Sequence, residues 1–330
     1  MEGEMKNIRR LSILILVPLI IALGAGNVLG AGNYPEKPIT LIVQSSAGGG
    51  SDIFARTLAS AIQKEKLLPQ PIVVENKPGG SGGIAYAYVA GKKKDPYYIL
   101  TATPSFLTTP LQGKTPVGLK DFTPIANFAF DEFMLMVGQN AKLKSLNEIV
   151  AFAKANPKQI TIGGTQFGGS DSLAIYQFEK AAGVQFNYIV FNSGGEVNAA
   201  LLGGHVDMAS TNPGEALELY KAGKVKILGV LSEKRLANAP EIPTMKEQGI
   251  NAFFVQNRGI AAPADIPTDA RKILEDAFFK YTKTEAYKKY CADNMLTEAW
   301  MDGTNFGNFL DEWNGKYAAI LKDMGVIKKK

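Results

Sequence analysis

The tetrapeptide Gly-Gly-Ser-Asp occurs twice, as Gly49-Gly50-Ser51-Asp52 and as Gly168-Gly169-Ser170-Asp171. Each copy leaves a predicted β-strand and enters a predicted helix. A third turn, Ser193-Gly194-Gly195-Glu196, has the same setting. Glycine at a strand-to-helix turn lets a bound molecule approach the backbone closely. The first N–H groups of a helix have no partner within it, and with the helix dipole they form an anion site from main chain alone. Two such turns facing each other could hold a carboxylate from both sides. One is too weak. A helix terminus contributes roughly 0.3–1 kcal/mol, up to about 2 when partly buried, and a hydrogen bond to a charged group about 1.5–3. Micromolar capture requires about 8 kcal/mol after ordering costs. An ordinary capped helix start after a tight turn has the same sequence, so the pattern leaves both readings open. After residue 31 the arginines are Arg56, Arg235, Arg258 and Arg271, and capture by backbone is expected over a bidentate arginine clamp.

Other chemistry fits less well. Gly79-Gly80-Ser81-Gly82-Gly83 has the spacing of a nucleophile elbow after a strand. That mechanism also needs a histidine base oriented by an acid. His205 is the sole histidine and lies beside a turn before a predicted strand, so no enzyme is expected, with hydrolysis as the chemical alternative. Gly113-Lys114-Thr115 resembles the end of a phosphate loop, but Thr108 stands where the first glycine belongs. One histidine and one cysteine, Cys291, make no metal cluster. Neither metal nor cofactor is expected, and a single thiol leaves no internal disulfide. Asp121, Asp131 and Glu132 read as surface acids.

The elements that would carry the turns alternate as βα units, the sign of an α/β protein with mainly parallel sheets. Ile39–Val43, Ile72–Val74 and Tyr98–Thr101 read as strands, and Ile53–Lys64 and Ile84–Ala90 as helices. Phe133–Val137 opens a second lobe, with strands at Ile160–Ile162, Tyr188–Val190 and Val206–Ala209 and helices at Leu146–Ala155, Ser172–Ala182 and Val197–Leu202. Asn212-Pro213-Gly214-Glu215 has the cap, first-turn proline and acid of a helix start, and Gly223 closes that helix. Pro267–Thr284 and Asn305–Met324 read as long amphipathic helices without a sheet of their own. They are expected to return to the first lobe and make it discontinuous. Lobe 1 is then 32–130 plus 258–330 and lobe 2 is 131–257, with hinge crossings near Phe122–Phe130 and Phe253–Ile260. About 300 residues after the leader suit two domains.

The first residues read as an address. Lys6, Arg9 and Arg10 precede an apolar run, Leu11–Leu23, and small residues lead to Gly30-Ala31. This is the order of a secretory signal peptide over 1–31, and the run is short of the roughly 20 residues that span a bilayer. The net charge of +5 falls by one without that segment, where Glu2 and Glu4 face the three cations. So mild an excess suits an anionic small ligand and is too diffuse for nucleic acid.

Tyr34-Pro35-Glu36-Lys37-Pro38-Ile39 followed by Ala47-Gly48-Gly49-Gly50-Ser51-Asp52 resembles the mature start of the Bug/TctC family, the substrate-binding proteins of tripartite tricarboxylate transporters. Val74-Glu75-Asn76-Lys77-Pro78-Gly79-Gly80, Ala200-Leu201-Leu202-Gly203-Gly204-His205-Val206-Asp207, Ser232-Glu233-Lys234-Arg235, Ile242-Pro243-Thr244 and Ala261-Ala262-Pro263 continue the resemblance in order. It implies a two-lobed type II periplasmic-binding-protein fold, each lobe a mainly parallel sheet flanked by helices. It implies a small carboxylate ligand (di-, tri- or aromatic), membrane permease subunits as partners, and a periplasmic or extracytoplasmic location, in a chain expected to be monomeric. A ligand-capturing subunit for a sensor is the other role open to such a protein. Carried over by position, the first turn gives Ser45, Ser46 and Ala47 to Asp52, the second Thr165 to Ser172, and the third Asn192 to Glu196. Thr101, Thr103 and Ser105 match a further cleft loop. Ser172 stands near where many members have His, and Ser210-Thr211 where many have Phe-Asp. Phe191–Glu196 and Asn257-Arg258-Gly259-Ile260 are closer to the tricarboxylate-type branch.

Overall fold

The structure, a computed structural model, describes residues 34–165, 167–191 and 193–328. The expected signal peptide over 1–31 lies outside these residues, as do Gln166 and Asn192 of the expected turns.

Chain order begins with β1 (Ile39–Val43), α1 (Gly50–Lys64), β2 (Ile72–Asn76), α2 (Gly83–Ala90), β3 (Tyr98–Ala102) and α3 (Ser105–Leu111). The long strand β4 (Phe122–Glu132) follows, then β5 (Met134–Gly138), α4 (Leu146–Ala155), β6 (Thr161–Gly164), α5 (Ser170–Ala182) and β7 (Asn187–Val190). Next come α6 (Gly194–Leu202), β8 (Met208–Thr211), α7 (Pro213–Lys221) and β9 (Val225–Val230). The chain closes with β10 (Val255–Pro263), α8 (Thr268–Tyr281), α9 (Glu285–Asp293), β11 (Thr297–Asp302) and α10 (Gly303–Asp323). The first sheet has the order β11-β4-β10-β3-β1-β2 and the second β7-β6-β8-β5-β9. Strands β1, β2 and β3 pair in parallel, and β4 runs the same way because β10 is antiparallel to both β3 and β4. In the second sheet β6, β7 and β8 are parallel and β5 runs against its neighbours.

The strand β1, Ile-Thr-Leu-Ile-Val, is apolar on both faces because helices cover both. Phe54, Leu58 and Ile62 of α1 are fully buried, one helical turn apart. On that face Phe128 of β4 meets Phe54 edge-on at 5.2 Å and Phe278 of α8 at 5.5 Å. Phe306, Leu310, Trp313 and Tyr317 of α10 are buried at helical spacing, and α10 packs on β4. The C-terminal helices therefore cover the first sheet.

The segments read as crossings are strands instead. β4 and β10 pair from Val255 opposite Glu132 to Pro263 opposite Phe122, so Asp131, Glu132 and 255–257 belong to the first sheet's pairing. Both segments are buried over most of their length, which suits a strand inside a covered sheet. The change of sheet takes a single residue, Phe133, between β4 and β5. Its carbonyl accepts from Leu231 N at 2.8 Å, and Leu231 O accepts from Phe254 N at 3.0 Å. Helix α7 starts at the expected Asn212-Pro213, but the Asn212 side chain does not cap it. Its amide donates to Glu132 O at 2.9 Å, from one sheet's connections to the other's.

Candidate functional site

The first turn joins β1 to α1 and is held from below. Asp52, 3% exposed, accepts from Gly48 N (2.9 Å), Arg56 Nε (3.0 Å) and Asn76 Nδ2 (2.9 Å). Burial alone would raise its pKa, but the bonds from Arg56, Gly48 and Asn76 outweigh it and hold the carboxyl below its ordinary value. Asn76 Nδ2 also donates to Ser45 O at 3.0 Å. Asp52 is thus the staple of the turn. Gln44 Nε2 donates to Ser51 Oγ (3.1 Å) and Thr103 Oγ1 (3.3 Å), and Thr101 donates to Gln44 Oε1. Thr103 and Ser105 hydroxyls lie 3.0 Å apart. This network sets Ser51 and Thr103 together under the turn, while Ser46, Ala47 and Gly48 face solvent. Among the described residues the Gly50 and Ser51 amides have no acceptor.

The second turn, between β6 and α5, is built differently. Gly168, at φ 78°, donates its N–H to Ser172 Oγ at 2.8 Å, and Ser172 donates on to Gly169 O at 3.0 Å. Ser172 therefore does inside the turn what an N-cap side chain does at its edge. Thr165 donates its hydroxyl to Asp171, and Tyr188 donates to Thr165 O. The Gly169 and Ser170 amides have no acceptor among the described residues. At the third turn Ser193 caps α6, its Oγ accepting from Glu196 N at 3.3 Å. Ser193, Gly195 and Glu196 are exposed. The Glu215 carboxylate of α7 lies against Gly194 and accepts from Thr211 Oγ1 at 3.1 Å.

Side chains far apart in sequence reach each of the three turns. Gln112, just after α3, donates from Nε2 to Gly168 O at 3.0 Å and so joins the first sheet's helices to the second turn. Arg258 of β10 lays its guanidinium against the first turn: a Cβ at Gly50 would stand 2.8 Å from Nη2. Nη2 donates to Asp131, and Nη1 lies 3.5 Å from Ser51 Oγ. Glu215 is within electrostatic reach of Asp171, Asp131 and Arg258.

One expectation changes, and an arginine stands at the first turn, a contact the first sheet's pairing creates across 207 positions of sequence. Asp131 and Glu132 are not surface acids: they are 2% and 3% exposed, at the end of β4 where the two sheets meet. Burial raises the Asp131 pKa against the opposing pull of Arg258. Burial pushes Glu132 up to about 7, with a hydrogen bond from Thr297 opposing and the Asp131 charge adding. Asp121 is half-buried and accepts from Gly118 N at 2.8 Å. Gln44, Asn76, Gln112, Asp131, Glu215 and Arg258 are the participants that sequence reasoning left out.

The elbow-like motif does not assemble. Ser81 lies in a turn before α2 of the first sheet, and His205 in an exposed turn after α6 of the second. Among the described residues no group of three or more His, Cys, Asp or Glu could hold a metal ion, and no helix is long and apolar enough to cross a membrane. A cavity of about 1100 Å³ opens at the opposite end of the second sheet, lined by Val137, Ile149, Leu201, Met208, Lys142 and Lys224. It lacks the open helix-start amides, and the three turns are the better candidate for an anion.

The model of the family described as tripartite tricarboxylate transporter family receptor, TctC, matches residues 54–326. The UPF0065 protein in the gbd 5' region of Cupriavidus necator is 32% identical over 301 residues, 90% of each chain. BugT of Bordetella pertussis is 30% identical over 328 residues, covering 96% of this chain and 98% of its own. A TctC solute-binding protein from Polaromonas, solved without ligand, is 31% identical with a TM-score of 0.74 over 88% of this chain and 99% of its own. Two Rhodopseudomonas palustris proteins share the fold: MatC with bound malate (21% identical, TM-score 0.76, 87% and 100% covered) and Rpa4515 with adipate (22%, 0.80, 88% and 98%). The family and its solved relative bind solutes and are not enzymes. The chain belongs to the tripartite tricarboxylate transporter family of receptors, TctC.

Proposed function

We propose that this protein captures a small di-, tri- or aromatic carboxylate between its two sheets, outside the cytoplasmic membrane, and hands it to membrane permease subunits of a tripartite tricarboxylate transporter. The observation that carries the reading is the set of three glycine turns on two sheets: among the described residues the amides of Gly50, Ser51, Gly169 and Ser170 have no acceptor, and the Arg258 guanidinium stands beside Gly50. Ser45 to Asp52 with Thr103 form one side of the site. Thr165, Gly168 to Asp171 and Ser193 to Glu196 form the other. Malate and adipate in two structural neighbours support a carboxylate, and the order of residues 1–31 supports export. The lobes are the two sheets with their helices, dividing at Phe133 and before Phe254. Open lobes admit the acid and closure about that divide completes its hydrogen bonds, since a ligand shifts the equilibrium toward the form it binds better.

The test is titration calorimetry of the chain without residues 1–31 against malate, adipate, citrate and benzoate. At least one is expected to bind, and Gly168→Val to abolish that binding while the far-ultraviolet circular dichroism stays unchanged. No binding by any of the four, or full affinity in the variant, would overturn the proposal.

A further inference from the structure

We infer that Arg258 is the side chain that counts the ligand's carboxylates: backbone amides take one, and the guanidinium, held in place by Asp131, takes a second. The inference rests on the carboxylate reading above and names the class within it, di- and tricarboxylates over monocarboxylates.

The pairing of Arg258 is incomplete in a way that a purely structural arginine would not be. A buried arginine and a carboxylate normally meet fork to fork through two parallel hydrogen bonds. Here one nitrogen meets one oxygen. Among the described residues Arg258 Nε and Asp131 Oδ1 are both buried without a hydrogen-bond partner, and Arg258 is only 7% exposed. An orphaned charged donor at such depth is costly and calls for an explanation. The second contact, to Ser51 Oγ at 3.5 Å, is at the outer limit of a hydrogen bond. The guanidinium faces Gly50, where the open amides of Gly50 and Ser51 begin α1. An anion settling there would meet amides and guanidinium together.

The other arginines are already used. Arg56 is held by Asp52 and Asn76, Arg235 by Glu247, and Arg271 by Glu275. Around Arg258 stand Asp131, Glu215 and the Tyr290 hydroxyl, so the site has no surplus of positive charge. A second ligand carboxylate near Asp131 and Glu215 is tolerable only while the guanidinium is there. Glu215 comes from the second sheet, so Arg258 also faces both halves of the site.

The experiment measures affinity by calorimetry for pairs differing by one carboxylate: succinate with butyrate, adipate with hexanoate, and tricarballylate with glutarate. The unsubstituted chain is expected to prefer the richer member of at least one pair about ten- to a hundredfold, the factor a charge-assisted hydrogen bond supplies. The double variant Arg258→Gln with Asp131→Asn removes both charges and leaves the net charge unchanged. It is expected to bring that ratio to within about threefold while retaining affinity for the poorer member. Arg258→Lys keeps the charge and loses the fork. Expected there is a smaller fall in the ratio, and this variant carries the test if the double one does not fold. An unchanged ratio in the folded variants overturns the inference and leaves the carboxylate reading standing. So does the absence of any preference in the unsubstituted chain. Failure of that chain to bind any of the six acids overturns the inference, and the carboxylate reading falls with it when malate, citrate and benzoate fail as well.

Discussion

Gly49 and Gly50 are neighbours in one motif, yet the backbone asks different things of them. A Cβ at Gly49 would meet Ser46 O at 3.4 Å and Ser45 Oγ at 3.6 Å, ordinary contacts, and its φ of −77° suits any residue. At Gly50 the same atom would press on Arg258 Nη2. Gly49→Ala is therefore expected to cost at most about 1 kcal/mol of stability, the loss of a glycine cap, and to leave carboxylate affinity within about twofold. Gly50→Ala should displace the guanidinium and weaken a dicarboxylate about tenfold. Calorimetry on both variants checks the pair, and equal affinities would show that the guanidinium does not matter there. Glu132 gives a prediction in pH. Its carboxyl is pushed up to about 7 from an ordinary 4.5, first by burial, so the folded state holds the proton more tightly than the unfolded chain. The stability this confers is complete below about pH 4.5 and is lost as pH rises through 7, roughly 3 kcal/mol in all. In Glu132→Gln that slope should largely vanish when urea unfolding is compared at pH 5 and pH 8. An identical slope in both chains would assign it to other groups.

The helices that carry the turns can be perturbed without touching the site. Ser145 accepts from Glu148 N at 3.3 Å, and Glu148 Oε2 accepts in return from Ser145 N at 3.0 Å, a complete capping box at α4. Ser145→Ala should lower stability by about 1 kcal/mol and leave calorimetric affinity as it was, since α4 stands before β6 and away from its C-terminal turn. A lost affinity would mean that the second sheet is less rigid than its packing implies. Elements of this kind were legible in sequence: α1, α5 and α10 each have a single apolar period, and β1 is a short β-branched run between polar ends. Others were not. β4 and β10 read as crossings because polar residues interrupt them, Asn127 and Asp131 in one and Gln256 to Arg258 in the other, although both are largely buried in the sheet. The six residues of β11 are all exposed or half-buried, so no apolar period marks them. α3 has Pro110 within its last turn, and α9 buries only Tyr287, Tyr290 and Cys291. The same division runs through the site. The glycine turns announce themselves by their repeated tetrapeptide. Arg258, Asp131, Gln112 and Glu215 join them only because β10 pairs with β4, because Gln112 reaches Gly168 from the end of α3, and because Glu215 reaches Gly194 from α7.

The two halves touch through few polar side-chain contacts: Gln112 with Gly168 O, Asn212 with Glu132 O, and Lys180 with Asp323. Asn294 of the first half packs against Gly214 of the second. Between them the backbone crosses at Phe133, where a bonded run through Leu231 and Phe254 keeps two chain segments side by side. In the proposed function one sheet rotates against the other about this divide, and contacts made only on closure then weigh directly on ligand affinity. Gln112→Ala removes one such contact from a half-buried surface position and alters neither sheet's core. The loss of one hydrogen bond of this sort, about 0.5–1.5 kcal/mol, should weaken the ligand about two- to tenfold by making the closed form less populated. Unfolding stability without ligand should change little. With ligand at a hundred times its dissociation constant, both chains should gain the same roughly 2.7 kcal/mol, the variant simply requiring more ligand to reach it. Small-angle scattering supplies the independent reading: the ligand-free variant should have the larger radius of gyration, and saturating ligand should bring both chains to the same value. Equal radii without ligand, together with unchanged affinity, would show that Gln112 does not hold the halves together.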